Sequence, residues 1–345
     1  MKILGEEDLR ALVEGCTFLG CGGGGSPEQG LKIIIESLKK GLEFKMVEID
    51  EIGDDEFLAS PYFVGPVSRE KYRENLALKS FEILEEYMGK KFCAVVPTEL
   101  GGHNTPVALV VAAKKGIPVV DGDLAGRAVP ELHHSSSYIY GYKMSPFSVA
   151  APFGDEIIFK DVGDDEHAER IIRGIVKTLK RKVGVASHPF SAKIYRKILI
   201  RNTLSGAIRI GKILRKCRES GEDIVPEIES IGAYLLFKGD CVEVSYEERE
   251  GFSFGKLILD GIEEFCGDRY EILFKNENIV SLRNGKIDFS LPDLICVVTR
   301  EGYPVTNADL SVSETYVVFG LKAPDVWRTQ RGREILSLNA MEVKL

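Results

Sequence analysis

A chain of 345 residues is longer than a single hydrophobic core usually serves, so two domains are expected. Its 44% hydrophobic and 28% charged residues are those of a folded globular protein, and a formal net charge of −8 argues against a general affinity for nucleic acid or anionic membrane. No apolar run reaches the ~20 residues of a membrane span, and the opening MKILGEEDLR lacks the apolar core of a signal peptide, so a cytoplasmic protein is expected.

In chain order, Leu9, Leu12, Val13 and Cys16 recur at i, i+3, i+4 and i+7, predicting an amphipathic helix over residues 6–18. Gly20-Cys21-Gly22-Gly23-Gly24-Gly25 breaks it. Ser26, Pro27 and Gln29 then give an N-cap, a first-turn proline and a polar N3, so a second helix is predicted over 27–40. Residues 44–49 and 62–64 read as short strands. Residues 92–96 and 117–120 are apolar runs suited to strands buried on both faces, and the Ala/Val-rich stretch 105–115 between them reads as a helix ended by Gly116. Strand, helix and strand in about 30 residues make a βαβ unit with parallel strands. Beyond it, helices are predicted over 164–182 and 191–217, with a strand over 183–186. The basic run 212–218 is read as a solvated helix face. Strands dominate after Ala233, over 234–237, 241–246, 256–259, 270–274, 279–282, 294–299 and 316–319, with turns at Lys238-Gly239-Asp240 and Arg283-Asn284-Gly285-Lys286. The fold class is therefore α/β plus α+β: a parallel-sheet domain over 1–165 and a domain rich in antiparallel strands over 166–345.

In a βαβ unit the loops leaving the two strands emerge at one edge of the sheet, where ligands bind. Topology thus gathers Glu99, His103, Asn104, Asp121, Asp123, Arg127 and Glu131 into residues 98–131, among glycines that let backbone approach a ligand. Such a set suits a divalent metal, zinc or manganese, on Asp121, Asp123 and His103. A general base at Glu99 or an aspartate is equally open. Arg127 suits a substrate carboxylate. The structural alternative has Asp121 capping a turn, Arg127 paired with Glu131 and His103 lining a loop.

The loop 20–25 formally fits G-x-G-x-x-G, but a helix precedes it where a dinucleotide site needs a strand, and no Gly-Lys-Ser/Thr follows. No nucleotide cofactor is expected. Gly22, Gly23, Gly24, Gly25 and Ser26, beside a helix N-terminus, are candidate binders of an anionic or carbonyl group. Cys21 in that loop is a candidate nucleophile with a lowered pKa. The seven cysteines (Cys16, Cys21, Cys93, Cys217, Cys241, Cys266 and Cys296) are odd in number and scattered, without a C-x-x-C pair, so neither a disulfide framework nor a zinc finger is indicated. His133-His134 follows the acidic cluster, so either imidazole could reach the site, with surface exposure the expected fate; His188 after the 183–186 strand is a weaker catalytic candidate. No G-x-S-x-G elbow supports a serine hydrolase.

The segments Gly22-Gly23-Gly24-Gly25-Ser26-Pro27, Glu99-Leu100-Gly101-Gly102-His103-Asn104 and Asp121-Gly122-Asp123-Leu124-Ala125-Gly126-Arg127-Ala128-Val129-Pro130-Glu131 resemble the S-methyl-thiohydantoin desulfurase family. The likeness continues through Gly251-Phe252-Ser253-Phe254-Gly255, Asn276-Glu277-Asn278 and Leu291-Pro292-Asp293-Leu294-Ile295 to Ala323-Pro324-Asp325-Val326-Trp327-Arg328-Thr329, nearly the whole chain in order. The resemblance implies an α/β first domain, a β-rich, swivelling-type second domain, and hydrolytic removal of a sulfur substituent from a five-membered cyclic imide or thio-imide. It implies hydantoinase/oxoprolinase subunits as partners, and the other open reading is a non-catalytic ligand-binding or regulatory partner of such an enzyme. A homo-oligomer is also expected. His103 fills a position of the Glu-Leu-Gly-Gly-x-Asn motif expected to vary, which ranks Glu99, Asn104, Asp121, Asp123 and Arg127 above it.

Overall fold

The structure is a computed structural model that describes residues 1–65, 75–249, 251–339 and 341. The first part of the chain runs β1 (Lys2–Leu4), α1 (Glu6–Leu19), α2 (Pro27–Lys39), β2 (Phe44–Val47), β3 (Phe57–Val64), α3 (Leu76–Met88), β4 (Ala94–Val95), α4 (Asn104–Lys115), β5 (Val119–Val120), β6 (Gly122–Asp123), α5 (Ser136–Ile139), β7 (Phe147–Ala150) and β8 (Glu156–Phe159). It continues with α6 (Asp165–Leu179), β9 (Val183–Ser191), α7 (Ala192–Ile198), β10 (Ile200–Arg201), α8 (Thr203–Ser220) and α9 (Ile224–Glu229). The remainder holds β11 (Tyr234–Arg249), β12 (Phe252–Gly261), β13 (Arg269–Lys275), β14 (Glu277–Arg283), β15 (Lys286–Ser290), β16 (Leu294–Thr299), β17 (Thr315–Leu321), α10 (Asp325–Arg328) and α11 (Gln330–Ile335).

The predicted βαβ unit is β4–α4–β5, whose strands pair in parallel at Val95 and Val119. Every residue of α4 from Thr105 to Ala113 is buried, so its small apolar side chains line a helix covered on all sides. Gly116 ends it in the left-handed conformation, φ +71°. The sheet, however, is mixed rather than parallel. Its order is β1-β2-β5-β4-β3-β9-β7-β8, and only β2, β5, β4 and β3 are mutually parallel. The antiparallel half exists because α6 returns β9 between β3 and the β7–β8 hairpin. Positions 183–189 of β9 are all buried, as a central strand requires. A cut at residue 165 would therefore leave outside the first sheet a strand that its middle is built around.

The second sheet is antiparallel, in the order β15-β14-β13-β12-β11-β17-β16. It curls until its two ends approach: the Leu291 N–H donates to Ile279 O (2.9 Å), and the Asn278 side-chain amide donates to Ile295 O (2.9 Å) on the far edge strand. The Asn284-Gly285 turn closes the β14–β15 hairpin as expected, with φ +51° and +77°. Lys238-Gly239-Asp240 is not a turn. The strand passes straight through it, pairing Gly239 with Gly261 on one side and Tyr316 on the other, while bulges at 235/237 and 241/243 absorb the register change. Gly239 is needed there because a Cβ would stand 2.6 Å from the Asp260 carbonyl oxygen.

The basic run 212–218 is paired rather than free: Lys212 binds Asp8 (2.5 Å), Arg215 binds Glu14 (3.0 Å), Arg218 also pairs with Glu14, and Lys216 pairs with Glu222 (3.3 Å). No helix among the described residues is long and apolar enough to cross a membrane.

Helices α1 and α8 bind the sequence halves together at contact distance. Gly15 faces the Ala207 backbone and Gly211 faces Ala11, so a Cβ on either glycine would overlap the opposing carbonyl oxygen. Alanine favours helix by up to ~1 kcal/mol over glycine, but here it must push two backbones apart. Gly211→Ala is expected to lower unfolding stability by about 1–3 kcal/mol, the usual cost of overpacking, in urea denaturation; a stabilised variant would mean that the helices do not meet as described.

Candidate functional site at the joint of the two halves

The two glycine-bearing loops of the first half lie against each other. Gly24 adopts φ +75°, and its carbonyl accepts from the His103 (3.0 Å) and Asn104 (3.3 Å) N–H groups at the start of α4. A Cβ on Gly24 would strike the Gly101 Cα. The second half then closes over the loop: the Asn278 N–H donates to Cys21 O (2.7 Å), the Asn307 N–H donates to Gly22 O (2.8 Å), and the Glu277 carboxyl fills the space that a side chain on Gly23 would need. Gly25 is likewise packed against His103. These glycines thus serve backbone packing here, and Ser26 is committed to capping α2 through the Gln29 N–H (3.3 Å).

Arg127 is fully buried. Its Nε donates to Ala128 O (3.0 Å), Nη1 to Asp293 O (3.1 Å) and Pro292 O (3.4 Å), and Nη2 to Asn278 O (3.1 Å). The expected carboxylate-holding role gives way to a fork of backbone carbonyls, three of them from the second half. It does not pair with Glu131, whose Oε1 accepts from Lys275 Nζ (2.6 Å). Trp327, also fully buried, reinforces the joint by donating its indole N–H to Ala125 O (2.7 Å).

Around this pin sit the reactive groups. Cys21 and Cys296 are both fully buried, with sulfurs 4.0 Å apart. Burial opposes a thiolate at Cys21, but the Cys296 S–H, the Arg127 guanidinium and the Ile295 N–H outweigh it and hold the Cys21 thiol below its usual range. Cys296 is pushed well up, by burial and by that neighbouring thiolate. When Cys21 is protonated, its S–H faces Leu19 O (3.2 Å). Glu277 is driven well above the carboxylate range by burial and by the Glu99 charge, with Arg127 opposing. Its Oε2 has no hydrogen-bond partner among the described residues. Glu99 is raised too, by burial, against the Asn104 amide at 2.8 Å and the Val129 N–H at 3.0 Å. Asn104 also accepts from the Phe63 N–H (3.3 Å), so it fixes Glu99 to β3.

The structure separates the other candidates. Asp121 accepts from the Ser205 N–H (2.9 Å) at the start of α8. Asp123 is fully buried and accepts through one oxygen from the Ala125 (2.9 Å) and Gly126 (2.7 Å) N–H groups. Burial raises it to about 7. His103 stacks on Phe63 at 5.9 Å, and burial lowers it to about 3. Asp121, Asp123 and His103 therefore do not form the expected metal set. The group of three ligand atoms within 4.8 Å that does occur among the described residues is Glu131, His133 and His134. His134 is 2% exposed, so the surface expectation for this histidine pair fails. His188 is buried beside Ser187 (2.8 Å) at a bulge between β3 and β9, where φ is +55°; burial lowers it to about 3.

Glu277 and Cys296 are additions from the second half. The signal for Glu277 was present in Asn276-Glu277-Asn278, an acid flanked by amides at the start of a strand. Cys296, inside an apolar run, carried none.

Two family models cover the chain: the N-terminal domain described as S-Me-THD-like matches residues 7–161, and the corresponding C-terminal domain matches residues 163–345. The chain belongs to the S-Me-THD-like family. No curated protein matches this S-Me-THD-like chain. An X-ray crystal structure of a protein from Chromobacterium violaceum is similar, with a TM-score of 0.79 at 23% identity, over 97% of this chain and 95% of that one. At that identity the likeness shows the shared two-part fold.

Two outcomes test this geometry. Arg127→Lys keeps a charge but cannot reach four carbonyls, so urea unfolding should show a loss of about 3–5 kcal/mol, as for a broken buried charge network; a loss below about 1 kcal/mol would remove Arg127 as the pin. The folded protein also keeps a proton on Asp123 that the unfolded chain releases above about pH 4. This carboxyl therefore weakens folding as pH climbs from there to about 7. Asp123→Asn should make the fall in unfolding free energy between about pH 4.5 and 7 smaller by on the order of 1–3 kcal/mol; an unchanged slope contradicts the protonated acid.

Proposed function

We propose that the protein is a hydrolase acting on a hydantoin- or thiohydantoin-like cyclic imide, with S-methyl-thiohydantoin as the probe substrate. The observation that carries this reading is the joint itself, where a thiol held below its usual range and two carboxyls held above theirs meet in a chain whose family name refers to thiohydantoins.

The Cys21 thiolate adds to the ring carbon that bears the methylthio group, and a ring nitrogen takes a proton from the Glu277 carboxyl. The tetrahedral adduct expels methanethiol, which leaves with a proton regained from that ring nitrogen. Glu99, in its ionised form, then takes a proton from water as it attacks the ring carbon. The carbon–sulfur bond to Cys21 breaks and the thiolate returns, while the proton held by Glu99 restores Glu277. The balance is substrate plus water giving hydantoin plus methanethiol. Asn104 positions Glu99 throughout. Arg127 supplies a fixed positive charge near the thiolate while its N–H groups stay on carbonyls. Because Cys21 is fully buried, the substrate reaches it only when the two halves part.

Purified protein should release methanethiol from S-methyl-thiohydantoin, and Cys21→Ser and Glu277→Gln should each slow it by about 100-fold or more. Intact-mass spectra at short times should show the ring adduct on wild type and none on Cys21→Ser. Wild-type protein that leaves the compound untouched sinks the substrate, whereas a fully active Cys21→Ser sinks the thiol route.

A further inference from the structure

The turn after the arginine loop carries a group that the ring chemistry does not use. The His134 N–H donates to Glu131 O (3.1 Å) and the Ser135 N–H donates to His133 O (2.8 Å). This tight turn folds two successive histidines over the glutamate, with ring centroids 4.3 Å apart. Histidines adjacent in sequence ordinarily diverge; here one ring nitrogen of each, with a Glu131 oxygen, lies within 4.8 Å of the others. His133 Nδ1 is 3.7 Å from Glu131 Oε2. Both Nδ1 atoms are buried without a hydrogen-bond partner among the described residues, and His134 as a whole is 2% exposed.

An orphaned buried nitrogen costs about 1–3 kcal/mol, so two in one place call for an occupant. A second histidine gives each one only another ring. Lys275 does not supply it: its ammonium donates to Glu131 Oε1 (2.6 Å) and lies 4.4 Å from the centre of the Phe252 ring. That bond fixes the carboxylate and leaves Oε2 for the histidines, as outer partners of metal-binding carboxylates do. Two imidazoles and one carboxylate form the donor set of a zinc site that keeps its fourth position open. The ligand atoms in a zinc tetrahedron stand roughly 3.4 Å apart, so spacings of up to 4.8 Å here must close by as much as about 1.4 Å.

We propose that Glu131, His133 and His134 bind one divalent cation of the zinc class, through Glu131 Oε2 and the two Nδ1 atoms, with one coordination position left to water or ligand. This replaces Asp121, Asp123 and His103 as the metal set, and it stands on the donor geometry alone, whatever the reaction.

The test is metal titration of the full chain after treatment with a chelator. Calorimetry with Zn²⁺ alone should show one ion per chain at micromolar affinity or tighter. Co²⁺ should give the visible absorption of a four-coordinate nitrogen and oxygen site, with no thiolate-to-cobalt band. His134 is buried enough that its variant can fail to fold, so His133→Gln and Glu131→Gln carry the test, each checked by circular dichroism. Both should weaken Zn²⁺ at least tenfold, while Asp121→Asn and Cys21→Ser titrate like wild type. No saturable uptake, uptake unchanged in both His133→Gln and Glu131→Gln, or a thiolate-to-cobalt band overturns the assignment. None of these results depends on turnover, so they stand apart from the fate of the ring-hydrolysis reading.

Discussion

A guanidinium that cannot lose its proton is sealed at the boundary between the two halves, and the architecture around it follows from that requirement. Arg127 meets its desolvation cost with carbonyl oxygens from Ala128, Asn278, Pro292 and Asp293. Three of those oxygens belong to the second half, so the charge is satisfied only when both halves are in place. The same strand start that offers Asn278 O also sends the Asn278 N–H to Cys21 O and the Asn278 side chain to Ile295 O. One residue thus connects the glycine loop, the arginine and the curled end of the second sheet.

This closure accounts for the electrostatics. Glu277 and Cys21 lie where water is excluded and Glu99 is half-buried, and a low dielectric penalises every unbalanced charge. Both carboxyls are raised, Glu277 well above its range partly because the Glu99 charge acts on it, while the Asn104 and Val129 N–H groups favour the ionised form of Glu99. Cys21 differs because Arg127 and a sulfur donor stand next to it. Groups with pKa values pushed apart in one enclosure are what acid, base and nucleophile roles need, and they come at some cost in stability. Arg127 and Trp327 hold the enclosure shut against that cost.

Local signals in the sequence were legible wherever one residue's chemistry decides the backbone. Ser26 and Pro27 start α2, Gly116 stops α4, and Asn284-Gly285 closes a hairpin, all as expected. The parallel β4–α4–β5 unit followed from its apolar runs. What failed were inferences in which the partner is remote. Gly239 looks like a turn residue until Gly261 and Tyr316 flank it in a bulged strand. The boundary near residue 165 is not among them, since the family models part between 161 and 163, but β9 beyond it pairs with β3 and β7 of the first sheet.

The candidate site divides in the same way. Sequence alone determined that acids, amides and glycines gather around residues 98–131, because strand, helix and strand must return to the same edge. It also fixed the family likeness that runs the length of the chain. Only the tertiary structure decided what each side chain faces: Asp121 and Asp123 turn to backbone amides, Arg127 to carbonyls of the other half, and Glu277 and Cys296 arrive from more than a hundred residues away. A two-residue spacing on one continuous strand would put both aspartates on the same face, but the chain leaves β5 before Asp121, and Asp123 pairs with β10, so nearness along the chain did not place them in one site. The contacts that matter are made across the joint, and those are set by how two sheets close on one buried charge.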